Sequence, residues 1–136
     1  MPKFGKRSEE RLATCHGDLK TVLRTVIQFF DFSIICGHRN EQSQNEAYDT
    51  GFSKTKFPDS KHNVLPSLAV DIAPYPINWR DEKRFYYLAG HIIMAGQLLG
   101  ITLRWGGDWD RDTEVTDQSF NDIGHFEIFS WKGNID

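Results

Sequence analysis

The sequence lacks several features that would point to particular classes of protein. Its two cysteines, Cys15 and Cys36, are far apart and in no metal-binding spacing, so we expect reduced thiols and assign them no role. A net charge of -3 provides no basic surface for nucleic acid. No stretch approaches the roughly 18 apolar residues of a membrane span, and the basic start is followed by polar residues rather than by the apolar core of a signal peptide. We therefore expect a protein made in the cytoplasm that neither binds nucleic acid nor inserts into a membrane.

What the sequence does contain is the composition of an ordinary globular domain. The chain has 136 residues, of which 39% are hydrophobic, 13% aromatic and 26% charged. A chain of this length buries about two-thirds of its unfolded surface around one core. We therefore predict a single domain over residues 1–136 that needs no disulfide, and we expect it to be a monomer.

Apolar spacing predicts helices and strands that do not alternate as βαβ units. Helical periodicity with capping residues predicts a first helix capped by Ser8, two main helices over 18–29 and from Asp81 to about Leu99, and a short helix over 41–48. Short apolar runs predict strands over 32–36, 68–73, 101–105 and 125–129. The polar stretch from Gly106 to Ile123 is longer than most connections, which is typical of a functional loop. The predicted fold class is α+β, with a small sheet of about four strands.

Asp71 is the most informative residue, because it interrupts the apolar run 68–73. A buried aspartate costs several kcal/mol unless its charge is paired or bound to a cation. His62 and His125 stand at the edges of predicted strands, and two histidines with one carboxylate are a ligand set that suits catalytic zinc. Residue types alone leave the alternative open that Asp71 lies at an exposed edge or in a salt bridge.

The order of four segments gives a more specific indication. These segments are Gly37-His38-Arg39, Ser60-Lys61-His62, the run 69–74, and Gly124-His125-Phe126-Glu127. Across nearly the whole chain they resemble the zinc D-Ala-D-Ala-type peptidases and, within these, the phage endolysins that are L-alanyl-D-glutamate peptidases. The resemblance implies a small, mainly antiparallel sheet packed with two main helices. It also implies one zinc ion held by His62, Asp71 and His125.

The same resemblance implies roles for three further residues. Asp122 matches the catalytic carboxylate, Arg39 the arginine that contacts the scissile carbonyl, and Ser60 a serine that helps to shape the substrate pocket. Taken without the resemblance, Arg39 reads as a surface salt bridge and Asp122 as a turn residue.

Other residues near the motifs leave alternatives open. Glu127 would point to the same side of a strand as His125, so it either supports that histidine or lies at an exposed edge. Four more polar or aromatic residues could line a cleft, although the tryptophans are also typical of a core: Gln44, Trp105, Asp108 and Trp109.

The function implied is hydrolysis of the L-Ala-D-Glu bond in the peptide stem of bacterial peptidoglycan, for host cell lysis. Such an enzyme reaches the wall only after a separate breach of the membrane, and by analogy a Gram-negative host is expected. The segment from Asn63 to Leu68 is longer than the corresponding carboxypeptidase loop and lacks its glycine, which favours the phage enzymes. The alternatives are a D-Ala-D-Ala carboxypeptidase or dipeptidase on the same scaffold, and a catalytically silent module that binds zinc or the cell wall.

Overall fold

A computed structural model describes residues 1–129 and shows a mixed α and β fold. Residues 130–136, the end of the predicted domain, lie outside the described part. The helices are α1 (Lys6–Leu12), α2 (Gly17–Val26), α3 (Glu41–Asp49) and α4 (Glu82–Leu98), with a 3-10 turn at Lys61–Asn63. The strands are β1 (Phe32–Cys36), β2 (Ala69–Pro74), β3 (Leu103–Gly106) and β4 (Asp122–Ile128). The predicted α+β class is confirmed.

The four strands form one antiparallel sheet in the order β1-β2-β4-β3. In the centre of the sheet Asp71 of β2 lies opposite His125 of β4. On the other side of β2, Cys36 of β1 is the register partner of Asp71. Because opposed residues of antiparallel strands project to the same face, the register places these three side chains in one row.

The two main helices cover the other face of the sheet. Alternate residues of β2, Val70 and Ile72, are at most 1% exposed and join the hydrophobic core, so the intervening Asp71 projects to the opposite face. Both predicted main helices contribute one apolar face to this core, with the buried residues Leu19, Val22, Leu23 and Val26 from α2 and Phe85, Leu88, Ala89 and Ile92 from α4.

The two residues predicted to cap helices, Ser8 and Asp81, make no capping hydrogen bond through their side chains. Helix α1 begins at Lys6 after Gly5, and Ser8 is not its cap, because the buried Ser8 hydroxyl accepts a hydrogen bond from Ile34 N at 3.0 Å. Asp81 does precede α4, but its side chain makes no capping hydrogen bond. A tertiary partner therefore replaces the local one for Ser8.

Strand β4 starts at Asp122 rather than at residue 125. Its extra residues pair with the end of β3, where Gly106 is the register partner of Asp122. A Cβ on Gly106 would lie 2.0 Å from the Asp122 carbonyl oxygen, so the close approach requires glycine. The extension makes Asp122 part of the sheet, three residues before His125.

Among residues 1–129, no helix combines the length and the apolar character needed to cross a membrane.

Candidate metal centre and its cleft

His62 is held in one orientation by the short turn that carries it. The Ser60 hydroxyl accepts from His62 N at 3.1 Å, and the Asn63 side chain accepts from Ser60 N at 3.0 Å, which together form a capping box. His62 Nδ1 lies 2.6 Å from the Gly37 carbonyl oxygen. Because a carbonyl can only accept, Nδ1 carries the proton, and in the neutral ring Nε2 is left with a free lone pair.

His62 Nε2 makes no hydrogen bond, and it is the one buried side-chain nitrogen or oxygen within residues 1–129 of which this is true. His62 is only 1% exposed, so water does not compensate for the missing partner. Buried polar atoms are nearly always paired, and an exception calls for an explanation such as an ion.

Asp71 contacts the imidazole rings of both His62 and His125. Its Oδ1 lies 3.3 Å from His62 Nε2, which is ion-pair distance without hydrogen-bond geometry, and 3.0 Å from His125 Nδ1. Its Oδ2 accepts from Arg39 Nη2 at 2.8 Å. Burial opposes ionisation of Asp71, but the two imidazoles outweigh it and hold the pKa of this carboxyl well below its usual range. Asp71 is therefore a buried anion and not an exposed-edge residue, while the alternative of a salt bridge is confirmed by its ion pair with Arg39.

His125 has a carboxylate at each ring nitrogen. Nδ1 faces Asp71, and Nε2 lies 2.9 Å from Glu127 Oε1. Glu127 is buried and is also bound by Arg104 at 2.7 Å and Lys61 at 3.2 Å. Although burial opposes its charge, these partners lower the pKa of Glu127 to about 2. A carboxylate behind a metal-binding histidine is the usual means of fixing its ring and its tautomer.

The distances from Asp71 to the two imidazoles are compatible with a zinc ion between them. Ligand atoms about 2.0–2.1 Å from a tetrahedral ion are roughly 3.3–3.4 Å apart. The two imidazoles lie 3.3 Å and 3.0 Å from the same Asp71 oxygen, and the free lone pair of His62 faces it. The structure thus brings each of the two predicted histidine ligands to Asp71. Among residues 1–129, the groups containing Asp71 that could hold a metal join it with His62 and Cys36, and with His125 and Asp122.

Arg39 lies in the interior, not in a surface salt bridge. It is 7% exposed, and besides Asp71 it binds Gln44 Oε1 through Nη1 at 3.1 Å. Gln44 is fully buried and donates in turn to Ser53 Oγ at 2.9 Å and to the Thr55 carbonyl oxygen at 2.7 Å. Arg39 thus links the β2 carboxylate to the chain segment that forms one side of the cleft.

Asp122 is the first residue of β4 and not a turn residue. It groups with Asp71 and His125, with one potential ligand atom of each within 4.8 Å of the others. Burial, followed by the negative charge of Asp71, raises the pKa of Asp122 to about 6. A carboxyl with this pKa can both take and give a proton near neutral pH.

A cleft of about 590 Å³ is lined by the candidate ligands His62 and His125 and by Asp122. The long loop forms one wall, where Trp109 lies 5.3 Å from the His125 ring and stacks on Phe120 at 6.4 Å between centroids. The opposite wall carries Lys54 and Ser60, so the predicted pocket serine does line the cleft.

Of the four other cleft candidates, only Trp109 lines this cleft. Trp105 is 5% exposed and belongs to the core, while Gln44 supports Arg39 from behind. Asp108 organises the loop, because its carboxylate accepts from Asp112 N at 3.2 Å and Thr113 N at 2.9 Å.

Sequence reasoning missed Phe120 and the Gly37 carbonyl. Phe120 stands two residues before Asp122 in a polar loop, and a lone aromatic in such a loop was an available signal. A backbone carbonyl leaves no signal in the sequence, since every residue has one.

The fold is shared with two solved peptidases. A vancomycin-resistance D,D-dipeptidase, VanXYg, shares the fold at a TM-score of 0.54 and 19% identity, over 84% of this chain and 50% of that one. The L-Ala D-Glu endopeptidase ChiX of Serratia marcescens matches with a TM-score of 0.75 and 28% identity, over 94% of this chain and 91% of ChiX.

The particular family follows from the sequence match. The model of the phage L-alanyl-D-glutamate peptidase family matches residues 1–129. The L-alanyl-D-glutamate peptidase of Escherichia phage T5 is 36% identical over 136 residues, covering 93% of this chain and 97% of that protein. The chain belongs to the phage L-alanyl-D-glutamate peptidase family, and the predicted family is confirmed.

Proposed function

We propose that this peptidase is a single-domain, zinc-dependent endolysin that hydrolyses the L-Ala-D-Glu bond of the peptidoglycan stem. His62, Asp71 and His125 hold one zinc ion, and the protein acts as a monomer on the cell wall after a separate breach of the membrane. The observation that carries the metal assignment is the buried, unpartnered His62 Nε2 beside the Asp71 carboxylate.

When bound by three protein ligands, zinc supplies a Lewis acid and a water made acidic enough to ionise near neutral pH. The rest of the chemistry falls to the side chains of this chain. Glu127 fixes the His125 ring by accepting from Nε2, and the Gly37 carbonyl fixes the His62 ring by accepting from Nδ1. These two contacts hold each ring in one orientation, with His62 Nε2 and His125 Nδ1 facing Asp71.

Asp122 is placed to manage the proton. As a carboxylate it takes the proton from the attacking water, and as a carboxylic acid it gives that proton to the leaving amine of D-Glu. Both forms must be available near neutral pH, and burial raises the pKa of Asp122 in that direction.

Arg39 and Ser60 support the reaction from the lining of the cleft. Two of the five guanidinium N–H groups of Arg39 bind Asp71 and Gln44, and Arg39 also lines the cleft, where it can donate to the scissile carbonyl as negative charge develops there. Ser60 shapes the pocket by fixing the turn of His62.

The test combines metal analysis with product analysis. Purified protein is expected to contain one zinc per chain, to lose activity on chelation and to regain it with zinc. Mass spectrometry of a defined L-Ala-D-Glu-containing stem peptide is expected to show cleavage after L-Ala. Release of free D-alanine without cleavage after L-Ala would instead establish a carboxypeptidase, and full activity without any metal would overturn the metal assignment.

A further inference from the structure

Cys36, which the mechanism does not use, stands in the same row of side chains as two candidate ligands. Its register partner is Asp71, whose partner on the other side is His125. A bulge between Ile34 and Cys36 shifts the register, so that Cys36 rather than Ile35 lies opposite Asp71. Bulges of this kind often re-aim a side chain next to an active site.

The thiol also lies within reach of the candidate ligand atoms. One potential ligand atom from each of Cys36, His62 and Asp71 lies within 4.8 Å of the other two. A second observation points to a ligand here, since the buried His62 Nε2 in this group has no hydrogen-bond partner. The Cys36 thiol donates a weak hydrogen bond to the Gly37 carbonyl oxygen, 3.6 Å from Sγ, and the same oxygen accepts from His62 Nδ1.

We propose that Cys36 is a fourth protein donor of this centre, which thiophilic divalent cations such as Cd²⁺ draw into coordination together with His62 and Asp71. This inference rests on the proposed metal centre. On binding, the S–H bond breaks, a sulfur–metal bond forms, and the proton passes to the buffer. Thiolate is a soft ligand and selects soft or borderline ions over hard ones such as Mg²⁺ and Ca²⁺.

Coordination by Cys36 has a consequence for the open position. A catalytic site keeps one position free for water, whereas four protein donors make a closed, structural type of site. An ion held by Cys36 in addition to the three proposed ligands would therefore have no position left for water.

Titration of the metal-free full chain with Cd²⁺ tests the proposal without an activity assay. Binding is expected to produce the ultraviolet charge-transfer band of a cadmium–thiolate bond. The band should persist in Cys15→Ala and be lost in Cys36→Ala, with an affinity for Cd²⁺ at least about tenfold lower in the second variant. Cys15 is the matched control, because it is buried and, among residues 1–129, belongs to none of the possible ligand groups.

Alkylation of the unmutated chain provides a second measurement that needs no variant to fold. Iodoacetamide followed by peptide mass spectrometry is expected to modify Cys36 in the metal-free protein and to leave it unmodified once Cd²⁺ is bound. Mg²⁺ should give no protection.

The outcomes separate this inference from the proposed function. Cd²⁺ that binds to the chain without a thiolate band and without protecting Cys36 would overturn the role of Cys36 and leave the centre itself intact. A chain that binds neither Zn²⁺ nor Cd²⁺ would overturn both. A band that survives in Cys36→Ala and disappears in Cys15→Ala would show that Cys15 is the cadmium ligand, and this would also refute the proposal.

Discussion

The two sides of the cleft are built in different ways. The sheet side consists of Arg39, His62, Asp71, His125 and Glu127, and each of these residues is at most 8% exposed. The loop side consists of residues 109–120, which are exposed or half-buried and are held mainly by hydrogen bonds within the loop, such as Trp109 Nε1 to the Phe120 carbonyl at 2.6 Å.

This difference suits the sheet side to metal binding and the loop side to substrate binding. Ligand positions on the sheet side are fixed by strand register and by buried ion pairs, which suits a metal that tolerates little displacement. The loop side presents aromatic rings and polar groups to whatever enters, and loops on a rigid scaffold are the usual place for such contacts. Changes on the sheet side should therefore alter metal content, and changes on the loop side should alter substrate binding.

His62→Ala should have the largest effect, because it removes a proposed metal ligand from the sheet side. Loss of one of three ligands should lower zinc affinity by more than the roughly 10- to 100-fold that a residue behind the ligands costs, and should abolish activity. Zinc content by atomic emission and cleavage of the stem peptide measure the two effects. His91→Ala on α4 is the control, and a His62→Ala protein with full zinc content would exclude His62 as a ligand.

Asp122→Asn should be the next largest and should separate chemistry from metal binding. The amide keeps the shape of the side chain but cannot take or give the proton, which typically costs 10²–10⁴-fold in rate, as an order of magnitude. Zinc content and the thermal transition should stay at the values of the unmutated protein.

Asp49→Asn, at an exposed position, serves as the control for Asp122→Asn. If Asp122→Asn cleaves the stem peptide at the normal rate, the catalytic role of Asp122 is wrong. The presence of Asp122 would then be no argument against a silent metal-binding module.

Glu127→Gln should have an intermediate effect that appears in metal affinity. The change removes the charge that fixes His125 and leaves Lys61 and Arg104 without their shared carboxylate. We expect zinc affinity to fall about 10- to 100-fold, measured by competition with a chromophoric chelator. The exposed Glu10→Gln is the control, and an unchanged affinity would show that His125 keeps its orientation without Glu127.

Sequence reasoning could propose the centre because its candidate donors are side chains whose type is informative. A carboxylate within an apolar strand and two histidines at strand edges limited the choice, and the family resemblance fixed it to His62, Asp71 and His125. The same reasoning placed the two main helices, since their apolar periodicity is strong.

What the sequence could not supply depends on register and tertiary contact. The bulge that brings Cys36 opposite Asp71 shifts the pairing by one residue and leaves no signal in the sequence. Ser8 looks like a helix cap, but a distant backbone N–H takes its hydroxyl. The burial of Arg39 likewise depends on Gln44 and on the segment that holds Gln44, so its type alone suggested a surface residue.

Phe120→Ala should have the smallest effect and should act on the loop side alone. The change removes the ring that stacks on Trp109 and lies 5.3 Å from the Lys54 ammonium group. Such aromatic contacts are worth about 0.5–1.5 kcal/mol, so KM should rise roughly 2- to 10-fold while kcat and zinc content change little. Phe29→Ala is the control, because Phe29 is 75% exposed and does not line the cleft. Loss of zinc in Phe120→Ala would show that the loop side also holds the metal centre in place, and the separation of the two tasks would then be wrong.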